Sequence, residues 1–387
     1  MNRSGIQIKI DIIFCIMLVL IFIEYTLSML HPMRINAILQ TYTTKALIIL
    51  LIAYFFYMIS RFERIFLKKN ILIAGIVFLI LYLLSIYYEN SSGVMNENIG
   101  TGIYKMAFPL IIAIGMINFV DKEYIYNTMV AILIISIVGY IFELAFAGKV
   151  NIASIMAISI IDSYSPFESN FFSGLSISLG AYFSYYRKDK KWTILALIFS
   201  LMTFKRIPII FAIILFVLPC IKKDLNIKHS VKTTIIMTLG FTLLGVAYAN
   251  LVMPQNSILI DSFTLKYFGI PFTKAVMGRN VLLDQLMASG YVRSGLDSTF
   301  LFAQDIEMDL VRIYLEVGAI GVLTTVYYYW SFATSNLYAF IYMMSIMINF
   351  LFSHSIHSPF GWILKCILFM CIAKESEVEK LNKQGVE

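Results

Sequence analysis

Charge is scarce in this 387-residue chain: only 14% of its residues are Asp, Glu, Lys or Arg, against about 25% in a soluble globular protein. Cysteine and histidine are sparse too, with four of each. Cys15, Cys220, Cys366 and Cys371 all fall in apolar segments. None has metal-ligand spacing or a place in a loop that would hold a disulfide, so a secreted disulfide module is excluded and the four read as packing residues. Period-two alternation is also missing from the apolar runs, which excludes an outer-membrane barrel. Hydrophobic residues make up 60% of the chain and aromatic ones 15%. They come in isoleucine-rich blocks such as IDIIFCIMLVLIFIEYTLSML and KTTIIMTLGFTLLGVAYANLVM. With no polar face, such blocks have no place in a water-soluble fold. The pattern implies an all-α polytopic membrane protein.

The net charge of +7 does not point to nucleic acid, because the basic residues sit in short runs between apolar blocks and act as topology signals. Spans are expected at 11–29, 43–60, 71–88, 105–120, 125–147, 171–186, 192–204, 207–221, 233–252, 310–330, 334–352 and 359–373. That makes about 12 crossings, or about 10–12 if the short pair within 192–221 is a re-entrant hairpin. The loops 61–70, 187–191 and 222–232 each carry four basic residues. They alternate correctly if both termini are cytoplasmic. The first apolar segment follows Arg3 and Lys9 but runs long and lacks a small-residue cleavage site, so it reads as a retained helix.

This orientation leaves one long loop outside, at 253–309. Ordinary connections have a median near ~5 residues, and loops of this length are usually functional. Its amphipathic stretches and tyrosines suggest a folded cap over an outward-facing cavity, within a single integral-membrane domain covering 1–387. No internal repeat is visible, which disfavours a transporter built from two recognisable halves.

Unusual charges gather on the outer side. Lys205 and Arg206, in the turn TFKRIPII, run against the positive-inside trend. They are candidates either for snorkelling to lipid phosphates or for holding an anionic, lipid-linked headgroup. Arg279, after a glycine in MGRNVLLDQL, is placed to start a helix whose free amides also favour anions. Lys266, Lys274 and Arg293 read as solvated or facing headgroups. In AQDIEMDLVRIYLEVGAIGVL, Asp305, Glu307 and Asp309 form an acidic cluster, and Asp309, Arg312 and Glu316 share one helical face. Two readings stand for this segment: an ion pair that orients the helix, or a carboxylate, Asp309 or Glu307, that activates an acceptor hydroxyl. Gly318 and Gly321 read as close-packing positions. His354 and His357 in FSHSIHSPFGW are candidates for binding phosphate or assisting proton transfer, with an ordinary interfacial loop as the plainer reading and no metal-ligand set evident. Glu168 and Asn170 in SPFESNFFSG are candidates for lining a sugar pocket. Glu24 and Glu143 are candidates for reaching the same cavity or pairing with Lys45 and Lys105. Lys365 lies inside the last span without an evident partner.

Three stretches taken together resemble the Wzy-type O-antigen and capsular polysaccharide polymerases and the related O-antigen ligases of the bacterial inner membrane. FKRIP at 204–208 is similar to the family's outward turn with a basic residue. MGRN at 277–280 is similar to its loop signature, with Arg279 and Gly290 in R-x10-G spacing. DLVRIYLEVGAIGV at 309–322 is similar to its re-entry segment. The resemblance implies that Arg279 contacts the lipid pyrophosphate, that Arg206 is the basic residue of the turn, and that Glu316, Gly318 and Gly321 are the family's glutamate and glycine pair. The family's histidine position falls on Glu307 and its asparagine on Met308, a departure that lowers the ligase reading.

The implied activity is a glycosyltransferase using no nucleotide sugar. It would join undecaprenyl-pyrophosphate-linked repeat units for lipopolysaccharide or capsule biosynthesis at the outer face of the bacterial cytoplasmic (inner) membrane. Undecaprenyl pyrophosphate is the leaving group, Lys205, Arg206 and Arg279 neutralise it, and Asp309 or Glu307 serves the acceptor hydroxyl. No cofactor, metal or nucleic acid is expected. The implied partners are membrane lipids, the lipid-linked donor and acceptor, a chain-length regulator and a flippase. Two alternatives are a ligase transferring the glycan to lipid A core and a flippase or transporter for lipid-linked oligosaccharide.

Overall fold

A computed structural model describes residues 5–29 and 66–383, apart from 157–164, 223–224, 226–230, 277, 303–305, 334–335, 354 and 357, together with positions 45, 49 and 52. The described residues form helices joined by turns, with no β-sheet. In order they are α1 Gly5–Met29, α2 Lys68–Ser92, α3 Ile99–Phe119, α4 Lys122–Phe146, α5 Asn170–Tyr186, α6 Lys190–Met202, α7 Arg206–Ile221, α8 Val231–Val252, α9 Pro254–Phe268, α10 Arg279–Ala288, α11 Asp309–Trp330, α12 Leu337–Phe352 and α13 Pro359–Lys383. A helix lies on each expected span except 43–60, of which only positions 45, 49 and 52 are described, each of them helical. Five of them (α2, α3, α4, α8 and α11) are long and apolar enough to cross a membrane. The pair α6 and α7, at 13 and 16 residues, falls short of the roughly 20 that a perpendicular crossing needs.

Helices are the form such segments must take, because each satisfies its own backbone polar groups in an apolar medium. Their burial sorts them into layers. In α3 and α11 the apolar window is 67% buried, against 22% in α2 and 28% in α8. The outer helices expose large apolar residues such as Leu72, Leu83 and Leu243, the surface expected to face lipid. The interior is built where α13 lies along α3 and α5, and where α11 lies along α8 and α2. Residues Trp362 to Ala373 of α13 are buried almost without interruption. Of the cysteines, Cys15, Cys366 and Cys371 are buried packing residues as expected, whereas Cys220 is exposed beside the Arg187 guanidinium.

The described residues of 253–309 include the helices Pro254–Phe268 and Arg279–Ala288. Pro254 opens α9 at a position where its missing N–H costs nothing, and Gly269 closes it with φ +70°. The later part of the segment enters the bundle. The Asn96 side chain donates to the carbonyls of Ser294 and Leu296, both at 2.9 Å. Gly295, at φ +95°, lies so close to α2 that a Cβ there would come within 2.8 Å of Ser85 Cβ. Only glycine combines that dihedral with that approach.

Candidate functional site

Behind the segment's re-entry point lies a buried ion network. Asp297, 3% exposed, receives Lys105 Nζ at 2.6 Å and Arg312 Nη1 at 3.0 Å. Arg312 Nη2 lies 3.4 Å from Asp309 Oδ1. Asp309 Oδ2 accepts the backbone N–H groups of Ser355 at 2.6 Å and Ile356 at 3.0 Å. One helical turn past Arg312, Glu316 Oε1 accepts the Thr299 hydroxyl at 2.8 Å. The shared helical face of Asp309, Arg312 and Glu316 therefore points inward, and this arrangement is the ion-pair reading of the motif, extended by Asp297. The three residues tie α11 to α3, to the 297–299 segment and to the 353–356 connection. Sequence reading missed Asp297, whose φ of +57° gives it a left-handed turn conformation in a loop of unremarkable composition.

Two expectations require correction. Gly318 is not simply a small residue at a helix contact. It breaks α11 with φ +73° and ψ −173°, a conformation open to glycine almost alone. Arg293 is not solvated: Nε donates to Leu315 O at 2.7 Å and Nη2 to Tyr314 O at 3.0 Å. Its guanidinium also lies over the Tyr88 ring, 5.0 Å from the centroid. The break frees carbonyls at the end of the first half-helix, and Arg293 occupies them, as a cation at a helix C-terminus should. Lys105, considered as a partner for Glu24 or Glu143, is joined to Asp297.

At the end of the bundle where α5 and α7 begin and α12 ends, a second group of charges converges from separate parts of the sequence. Glu168 precedes α5, Lys205 and Arg206 open α7, Arg279 opens α10, and Glu307 precedes α11. Lys205 lies within electrostatic reach of Glu168, Glu307 and Arg279, and Glu168 within reach of Arg206 as well. Burial holds the Glu168 carboxyl above its ordinary range, opposed by Lys205 and Arg206 and reinforced by Glu307. Burial likewise lowers the Lys205 ammonium, against the pull of Glu168 and Glu307. Arg279 is the first residue of α10, after Gly278 at φ +72°. Its Nη1 reaches Val276 O at 3.4 Å, and its buried Nε has no partner among the described residues. The group thus offers guanidinium donors and carboxylates on one rim.

A polar chamber of about 40 Å³ opens beneath this rim, between α5, α7, α12 and α13. Lys205 and Lys365 both line it, with Ser173, Ser345, Asn349 and Ser355. Lys365 is 4% exposed, and its Nζ lies 4.5 Å from the centre of the Trp362 ring. The Trp362 Nε1 donates to Ser355 O at 3.0 Å, while the N–H of Ser355 binds Asp309, so the chamber wall is continuous with the ion network.

The structure thus places Glu168, Lys205, Arg206, Arg279 and Glu307 together, and sets Asp309, Arg312 and Glu316 in the interior behind them. His354, His357 and Asp305 lie outside the described residues, as does the side chain of Asn170. Among the described residues no group of three or more His, Cys, Asp or Glu is arranged to hold a metal ion. No protein-family model, curated protein or solved structure matches the chain.

Proposed function

We propose that this membrane protein is a polysaccharide polymerase acting on lipid-pyrophosphate-linked oligosaccharide repeat units at the outer face of the bacterial cytoplasmic membrane. The observation that carries the proposal is the rim: cations from the turn before α7 and from the start of α10 share one end of the bundle with Glu168 and Glu307. Transfer of a glycan from a lipid pyrophosphate needs positive charge where the leaving group develops negative charge. It also needs a carboxylate to take the acceptor hydroxyl's proton. Lys205, Arg206 and Arg279 supply the first, and Arg279 brings an unpartnered Nε to it. Glu307 or Glu168 supplies the second, and the burial that raises the Glu168 carboxyl makes that group a better base. Asp309 is assigned a positioning role, since its buried carboxylate already accepts three hydrogen bonds from Arg312, Ser355 and Ile356.

The test is reconstitution in detergent with defined undecaprenyl-pyrophosphate repeat units and no nucleotide sugar, with products read by gel and mass spectrometry. A ladder is expected from the wild type and none from Arg279→Ala or Glu307→Gln, with folding checked by size exclusion. Repeat units that bind without ever being joined would overturn the polymerase reading, and reconstituted flipping would then be the assay for the transporter alternative. A ladder untouched by Arg279→Ala would remove the leaving-group assignment.

A further inference from the structure

The rim explains Lys205 but not why a second ammonium group, that of Lys365, lines a chamber inside the bundle. Lys365 is six residues into α13, roughly 9 Å of helix from its start, and donates no hydrogen bond to any described residue. The Trp362 ring face partly offsets its charge. Asp309 acts on it through space, but Asp309 is already bound to Arg312 and two backbone amides. Among the described residues no carboxylate lines the chamber, while both lysines do. Ser355 turns a buried hydroxyl without a partner among the described residues toward the same wall. A buried cation needs a counter-charge or solvation, and about 40 Å³ leaves room for roughly three waters or one small oxyanion.

We propose that this chamber is a binding site for a single oxyanion, a phosphoryl or carboxylate group carried by a substrate, held between Lys205 at the mouth and Lys365 at the floor, with hydroxyls of the Ser345–Ser355 region between them. The site is separate from the loop arginine, and it does not depend on glycosyl transfer. It fits either a lipid-borne phosphate or an acidic sugar.

Trp362 is a built-in reporter. The chain holds three tryptophans, so Trp192→Phe with Trp330→Phe leaves Trp362 alone. Its emission is followed in detergent during titration with undecaprenyl phosphate, inorganic phosphate and glucuronate, against chloride at equal ionic strength. A saturable change is expected with at least one oxyanion and not with chloride. It should be abolished by Lys365→Met and weakened about tenfold by Lys205→Gln, the loss expected for one charge-assisted contact. Tighter response to undecaprenyl phosphate than to glucuronate assigns the lipid as the source, and the reverse assigns the sugar. If Lys365→Met does not fold, Lys205→Gln with Ser355→Ala carries the test. No saturable response, or one unchanged in these variants, overturns the site and leaves a water-filled chamber. Because binding is read without turnover, the site and the polymerase reading fail independently.

Discussion

Replacing Gly318 with alanine is the most direct challenge to the account of α11. At φ +73° and ψ −173° an L-residue carries strain of about 1–3 kcal/mol. A Cβ would also stand 2.9 Å from the Tyr88 hydroxyl and 3.4 Å from Arg293 Nη1. The Tyr88 hydroxyl, at the end of a flexible side chain, must shift, whereas the approach to Arg293 Nη1 is an ordinary van der Waals contact that leaves its bonds to Tyr314 and Leu315 in place. The cost is therefore about 1–3 kcal/mol of backbone strain, a sizeable fraction of the stability of an ordinary protein. Thermal unfolding in detergent, followed by loss of the monodisperse peak, measures it. Gly240→Ala in α8 is the control, since nothing lies within 4 Å of the added carbon. Because the added carbon meets the Tyr88 hydroxyl, Gly318→Ala should cost less in a Tyr88→Phe background. A Gly318→Ala protein as stable as wild type, or effects of the two changes that simply add, would refute the reasoning.

Asp297→Ala should destabilise by about 3–5 kcal/mol, because it removes the buried carboxylate that Arg312 and Lys105 share; Arg312→Met in the same chain should recover part of that loss in the same unfolding assay. Polymerising activity should fall on the acid side above the usual carboxylate range, since burial raises the Glu168 carboxyl and the base works only when deprotonated. It should fall on the alkaline side below the usual lysine range, since burial lowers Lys205 and its charge is lost earlier. Glu168→Gln should move the acid limb and Lys205→Arg the alkaline one in a pH–rate profile, and limbs unmoved by both would remove these residues from the titration.

Helix positions were legible in the sequence because apolar composition decides them locally: the expected segments at 71–88 and 233–252 fall within α2 and α8. The start of α10 was legible as well, since a glycine before Arg279 marks a boundary whatever surrounds it. Asp297 and Arg293 were not. Each is defined by a partner far along the chain, Asp297 by Lys105 and Arg293 by carbonyls that exist only because Gly318 breaks a helix. Hydropathy cannot register such pairing. The role of Lys365 was hidden for the same reason, because a lone charge in a span says that something must offset it and not what. The rim was half visible, with its members named one by one while their convergence depended on how α5, α7, α10 and α11 meet.

The buried ion network also bears on how the chain is made. Of the candidate spans, α11 is the least hydrophobic and α3 the next. As an isolated helix α11 would enter lipid poorly, with Asp309, Arg312 and Glu316 on one face of its first two turns. The counter-charge of its Arg312 comes from earlier in the chain, since Asp297 precedes α11. Lys105 of α3 and the Asn96 cradle, which hold the 294–297 segment, emerge from the ribosome some two hundred residues before α11, while the Ser355 and Ile356 amides that serve Asp309 follow it. Synthesis from the amino end thus prepares the receptor first. The polar span then inserts against a waiting counter-charge, so that a lesion at Lys105 would surface as a topological error in a helix translated much later.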